Sequence, residues 1–322
     1  MKLSADADAV HPASTIARAF RFGVLLTSLE SPSTFAAQAQ RAEHLGYSTV
    51  FVGEHLDMSY GPLVTASAIA SATSLLRVGT LMLLNDLRHP ALLAKEAATL
   101  DVLSGGRLEL GIGAGWKGSD YTAMGRRMPG GAIRAEQLRE SITIVKGLFA
   151  DGPFSFSGVH YAIDNLEGRP KPTQRPHPPF IVGGASKAIM TLAGAEADIA
   201  GINPALKPGP LSVEAVSMAA AEASVEHLIA SAGERLQHIE VNLLPLRTVV
   251  TPHGRRAVAD VARDYKQEEA TVLDSPFFLL GSPDTIADKL RMLREKLLVS
   301  YLVVREEVMT DFAEVVDRLA GA

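Results

Sequence analysis

Short, continuous apolar runs recur along the chain at residues 21–26, 50–53, 77–83, 107–111, 180–183, 199–202, 240–246 and 299–304. Most are separated by segments in which apolar residues return every three or four positions, the spacing of a helix with one buried face. Between residues 90 and 103, Leu93, Ala97, Leu100 and Leu103 share one stripe behind Pro90, a favourable first-turn residue, and Ser104-Gly105-Gly106 stops the helix. A later helix starts at Ser282-Pro283-Asp284 and carries Ile286, Leu290, Leu293 and Leu297. Strands that are apolar on both faces and alternate with amphipathic helices belong in a parallel sheet covered by those helices. Eight strand-then-helix units predict an α/β fold of the (β/α)8 TIM-barrel class.

Three segments break the rhythm and are predicted to be insertion loops at the carboxyl ends of strands, where they would shape a substrate pocket. Residues 117–131 are rich in glycine and charge. Residues 152–179 hold a hairpin pattern over 154–161, then prolines at 170, 172, 176, 178 and 179 that exclude regular structure. Residues 251–278 have helical character and end in Asp274-Ser275-Pro276.

Candidate chemistry sits where predicted strands end. Glu54 and His55 follow the second strand, on the rim where barrel enzymes keep catalytic groups, and imidazole titrates near neutral pH. His55 is the leading acid–base candidate, with Glu54 either orienting it or pairing with an arginine. Asn85 and Asp86 follow the third strand. The fourth ends in Gly111-Ile112-Gly113-Ala114-Gly115-Trp116, which removes side chains where α/β enzymes bring backbone close to ligands. Gly113, Gly115 and Gly118 have the spacing of a dinucleotide fingerprint, but that motif opens a helix after the first strand of its unit, not the fourth. Gly183-Gly184-Ala185-Ser186-Lys187 ends the fifth strand. Its free helix-start amides and lysine suit a phosphate, and equally suit a plain strand-to-helix turn capped by Ser186. No His, Asp or Glu grouping has metal-ligand spacing, and no G-x-S-x-G elbow supports serine hydrolysis.

Five separated motifs, in order, are similar to those of the luciferase-like flavin and deazaflavin oxidoreductases: Arg21-Phe22-Gly23-Val24, Gly46-Tyr47-Ser48-Thr49-Val50-Phe51-Val52 leading to Glu54-His55, Arg77-Val78-Gly79-Thr80, the block over 88–116, and Pro178-Pro179-Phe180-Ile181-Val182-Gly183-Gly184. The resemblance runs from about Phe20 to the last residue, and its wider motif set is most like an actinobacterial F420-dependent subgroup. It implies hydride transfer between reduced coenzyme F420 and a small organic substrate, with a two-component monooxygenase using reduced FMN and dioxygen, fed by a separate cofactor reductase, as the alternative. A barrel that binds flavin without turnover is the third reading. It also implies that His55 stands by the reacting centre, that a non-prolyl cis peptide at Leu81-Met82 backs the ring, that Asn85 meets the ring edge, that Gly113, Ala114, Gly115 and Trp116 line the cofactor, and that its phosphate sits near Gly183, Gly184, Ala185, Ser186 and Lys187. Trp116 stands where the deazaflavin sugar-phosphate dehydrogenases of this family have a glutamate proton donor, which argues against that substrate class. The resemblance further implies a homodimer, for which alanine-rich helices over 66–72 and 91–98 allow close packing.

Composition narrows the field. With 322 residues, 47% of them apolar, the chain can fill a large core, and a net charge of −5 without long basic blocks disfavours nucleic acid or an anionic membrane as partner. The absence of cysteine removes disulfides and thiolate chemistry. Residues 1–19 lack an apolar signal core and read as a mobile tail ahead of one barrel domain over 20–322, which predicts a cytoplasmic protein.

Overall fold

The computed structural model of the chain describes residues 18–27, 32–58, 60–206 and 211–322. The segment read as a tail therefore lies outside the described residues apart from Arg18 and Ala19. Among the described residues, β1 (Arg21–Leu26), β2 (Thr49–Val52), β3 (Arg77–Thr80), β4 (Leu108–Gly113), β5 (Phe180–Gly184), β6 (Ile199–Ile202), β7 (Glu240–Leu243) and β8 (Val299–Arg305) pair in sequence, all parallel, and β8 returns to β1. This closed eight-stranded ring is a TIM barrel. Helices α1 (Pro32–His44), α2 (Pro62–Ala72), α3 (Pro90–Leu103), α4 (Gly131–Phe149), α5 (Lys187–Glu196), α6 (Met218–Ala232), α7 (Pro283–Leu297) and α8 (Ala313–Leu319) follow the strands. Local signals place them: Ser282 caps α7 by accepting the Thr285 N–H at 3.2 Å, and Ile286, Leu290, Leu293 and Leu297 are buried beneath it.

Alternation along the strands divides the core in two. Outward-facing residues such as Val24, Val50, Val78 and Leu110 pack under the helices, while Leu25, Phe51, Ile181, Ile199, Tyr301 and Val303 fill the barrel interior. Phe51 fits because its neighbour has no side chain: a Cβ on Gly79 would lie 2.6 Å from the Phe51 ring.

The lowest interior layer is ionic. Arg21 reaches Glu109 on β4 at 2.7 Å and Glu240 on β7 at 2.6 Å, with its guanidinium carbon 3.5 Å from the centre of the Tyr301 ring. Arg77 donates to the same Glu109 oxygen at 2.7 Å, and the Tyr301 hydroxyl donates to the other at 3.0 Å. Burial and the Glu109 carboxylate push that hydroxyl well above its ordinary range, so it keeps the proton it donates.

Three expectations change. The third strand stops at Thr80, the Leu81-Met82 peptide that follows is cis, and Leu83–Leu84 then pairs separately with Ile112 and Gly113. After β7, Arg247–Val250 forms a parallel pair with Phe278–Gly281 outside the barrel. The insertion over 152–179 does not arise at a carboxyl end: it joins α4 to the start of β5, at the amino end. Its hairpin is longer than the sequence pattern suggested, with strands Pro153–Ser157 and Ala162–Glu167, and it climbs beside α4 so that its tip reaches the opposite rim. There Glu140 of α4, 1% exposed, accepts the N–H groups of Val159, His160 and Tyr161. Burial pushes this carboxyl up, but those bonds outweigh it and hold it below the usual carboxylate range.

Two outcomes follow from these buried carboxylates. Glu109→Gln takes the carboxylate from Arg77 and leaves Arg21 with Glu240 alone, and lowers unfolding free energy by about 3 kcal/mol, measurable by urea denaturation. Because the Glu140 value is depressed on folding, its stabilisation is complete above the ordinary glutamate range near pH ~4.3 and is lost as pH falls through the lower folded value. Limited proteolysis at the hairpin tip should therefore accelerate only in acid, and Glu140→Gln should cleave faster already at pH ~7.

Candidate active site

The carboxyl ends of β2 to β5 bring the candidate residues to one side of the barrel mouth. After β2, the Glu54 carboxylate is 7% exposed, accepts the Leu84 N–H at 2.7 Å and grips Arg88 through both oxygens. Of its two anticipated roles, the structure shows the arginine pair: Glu54 ties the end of β2 to the loop after β3 and the start of α3. His55 instead meets Asp120, with Nδ1 and Oδ2 2.7 Å apart. Asp120 lies on the short helix Gly118–Ala123, is buried, and accepts the Leu56 N–H at 3.2 Å through its other oxygen. A buried carboxylate can only accept, so the neutral His55 ring carries its proton on Nδ1 and keeps a lone pair on Nε2. Trp116, 54% exposed, stands edge-on to this ring at 5.6 Å and 89°.

The Leu81 N–H donates to the Val52 carbonyl at 3.0 Å, which sets the cis peptide beside the end of β2. Met82 lies over the glycines of β4: a Cβ on Gly113 would be 3.6 Å from its terminal methyl. Asn85 is 2% exposed, and its amide nitrogen donates to the Tyr161 hydroxyl at 3.2 Å. The Asn85 Oδ1 atom is buried with no hydrogen-bond partner. Tyr161 comes from the hairpin tip, a role no local sequence signal announces.

The glycines serve close approaches within the protein itself. A Cβ on Gly111 would lie 2.0 Å from the Thr80 carbonyl oxygen, one on Gly183 2.6 Å from that of Gly201, and one on Gly115, whose φ is +79°, 2.7 Å from the Tyr121 hydroxyl. That hydroxyl donates to buried Asp86 at 2.9 Å, and burial together with Asp86 pushes it above its ordinary range. Ala114 is held from behind, its carbonyl accepting Arg134 Nε at 3.0 Å. Ser186 caps α5 through the Ile189 N–H at 3.3 Å, leaving Lys187 exposed in the first turn. Beside Ala185 a cavity of about 400 Å³ opens, walled by Asn203, Ser212, Glu214, Ser224 and Phe277.

The family profile described as luciferase-like monooxygenase matches residues 14–268. The chain belongs to the luciferase-like monooxygenase family. Among curated relatives, the FMNH2-dependent dimethylsulfone monooxygenase of Pseudomonas putida is 31% identical over 166 residues, covering 50% of this chain and 46% of that protein. The F420-dependent glucose-6-phosphate dehydrogenase of Microbacterium testaceum is 30% identical over 183 residues, covering 54% of each. The chain thus spans about half the length of these relatives. The F420-dependent tetrahydromethanopterin reductase of Methanopyrus kandleri superposes with a TM-score of 0.75 at 20% identity, over 94% of this chain and 99% of that one, which shows the shared fold. FMNH2-dependent and F420-dependent proteins thus both stand among the relatives that match this chain, and among its described residues no helix is long and apolar enough to cross a membrane.

The two adjacent acids and bases after β2 should respond differently to mutation. Arg88→Met leaves Glu54 buried without its cation and lowers stability by about 3–5 kcal/mol. His55→Ala, at a half-buried rim site, lowers it by less than about 1 kcal/mol in the same denaturation series.

Proposed function

We propose that this luciferase-like protein is an F420-dependent oxidoreductase that exchanges a hydride with a small organic substrate. The observation that carries the reading is the His55–Asp120 pair at the barrel mouth. Hydride transfer to a C=C or C=N bond requires one proton for the neighbouring atom, and oxidation of an alcohol requires one to leave. A histidine with a free Nε2, held at Nδ1 by a buried carboxylate, gives or takes that proton, and Asp120 stabilises the imidazolium that results.

The residues present fit the cofactor. The orphaned Asn85 oxygen is an acceptor for the imide N–H at the pyrimidine end of the ring, which flavins and deazaflavins share. Leu81, Met82 and Gly113 would meet its face, and the α5 start with Ser186 and Lys187 would take the phosphate. When bound, the reduced ring supplies a hydride in the deazaflavin case, or the electrons that activate dioxygen in the FMN case. Trp116 packs against one edge of the His55 ring. The same tryptophan supports a substrate other than a sugar phosphate, despite the glucose-6-phosphate dehydrogenase relative.

The FMN reading is favoured by one observation, the 31% identical dimethylsulfone monooxygenase. Fluorescence titration of the purified protein with F420 and with FMN decides between them. Binding of F420 is expected, and tight binding of FMN with none of F420 replaces the first reading by the second. With a turnover substrate in hand, His55→Ala should lower kcat roughly a hundredfold and Asp120→Asn about tenfold, with cofactor Kd unchanged in both. Unchanged kcat in His55→Ala would remove the proton-transfer role.

A further inference from the structure

The hairpin tip is built more firmly than a surface turn needs. Three successive backbone N–H groups, from Val159, His160 and Tyr161, converge on Glu140 at 2.7, 3.0 and 3.1 Å. Gly158 packs so closely there that a Cβ would sit 2.4 Å from the same carboxylate. One turn along α4, Glu136 meets His160 Nε2 at 3.3 Å. The Tyr161 ring stands edge-on to His89 at 5.6 Å and 89°. His89 is itself fixed as the cap of α3, its Nδ1 accepting the Ala91 N–H at 3.2 Å. The Tyr161 hydroxyl thus arrives beside Asn85 from a segment rooted at the far end of the barrel.

Together with Asp86 it holds the Asn85 amide in one orientation. Asn85 carries a donor and an acceptor of nearly equal size, and an unconstrained amide could present either. Here the Asp86 carboxylate, which can only accept, lies 3.5 Å from the nitrogen and sets the sense of the amide, and the Tyr161 hydroxyl holds that nitrogen at 3.2 Å, so the oxygen is the atom left buried and unmatched. A buried acceptor without a partner is unfavourable unless a ligand donor meets it.

We propose that Tyr161 is a positioning residue for the cofactor: the hairpin, anchored on Glu140, fixes the Asn85 amide so that its oxygen receives the imide N–H of the ring. This rests on the functional reading above. It makes the hairpin, which touches no strand of the mouth by sequence, part of the binding site through one hydroxyl. It also selects for a ring bearing a donor at that edge.

A double-mutant cycle on cofactor binding tests it. The full chain, Tyr161→Phe, Asn85→Ala and the double variant are titrated with F420 and, separately, FMN, followed by cofactor fluorescence. Tyr161→Phe keeps the ring packed on His89 and removes only the hydroxyl; its Tm should stay within about 2 °C of the parent. Its Kd should rise about fivefold, that of Asn85→Ala about tenfold or more, and that of the double variant no further than Asn85→Ala alone. Parental affinity in Tyr161→Phe overturns the inference and leaves the functional reading standing. So does a full fivefold added on top of Asn85→Ala, since the hydroxyl would then act without the amide. If the parent binds neither F420 nor FMN, the functional reading falls and this one with it.

Discussion

The ionic layer at the foot of the barrel is the constraint from which the rest of the structure follows. Arg21, Arg77, Glu109, Glu240 and Tyr301 come from five different strands and meet at the foot of a closed ring, around a Glu109 carboxylate that is itself fully buried. Each charge is stranded if any strand slips, because a shift of one residue turns every inward side chain outward. The layer therefore sets the register of β1, β3, β4, β7 and β8 together. Hydrophobic burial supplies the driving force for the fold, and this network specifies one alignment among the apolar ones.

Register at the foot decides what stands at the mouth. Inward positions alternate, so Arg21, Thr49, Arg77 and Glu109 below place Leu25, Gly53, Leu81 and Gly113 two layers above. Between them Phe51 and Tyr301 fill the interior, and Gly23 of β1 and Gly79 of β3 leave the space they need. The upper rim then holds two side-chain pairs of similar design. In each, a neighbour claims one end of a two-faced group, buried Asp120 for His55 and half-buried Tyr161 for Asn85, and leaves the other end uncommitted. Rim residues are thereby aimed by neighbours that need not touch a ligand themselves.

Much of this was legible because it is local. The order of the eight strands and the Ser282 cap of α7 appear where the chain pattern puts them, and the cis peptide at Leu81-Met82 where the family resemblance does, although the third and seventh strands end earlier than their apolar runs. The hairpin was less so. Its pattern over 154–161 marks the turn and one strand, but Ala162–Glu167 is mostly exposed and polar, without the apolar alternation that would have extended it. Nothing in those residues says which end of the barrel they reach.

Periodicity, glycine and proline placement and helix caps act over a few residues, and so the sequence by itself determined the number and order of strand–helix units, the barrel class and the rim on which candidate chemistry lies. Tertiary structure alone decided the pairings: Glu54 with Arg88, 34 positions away, His55 with Asp120, 65 away, and Asn85 with Tyr161, 76 away. Each is one interaction between groups that are acceptable on a solvated loop, so it leaves no trace in composition or period. It acquires its strength only once the surrounding fold has removed water from both partners.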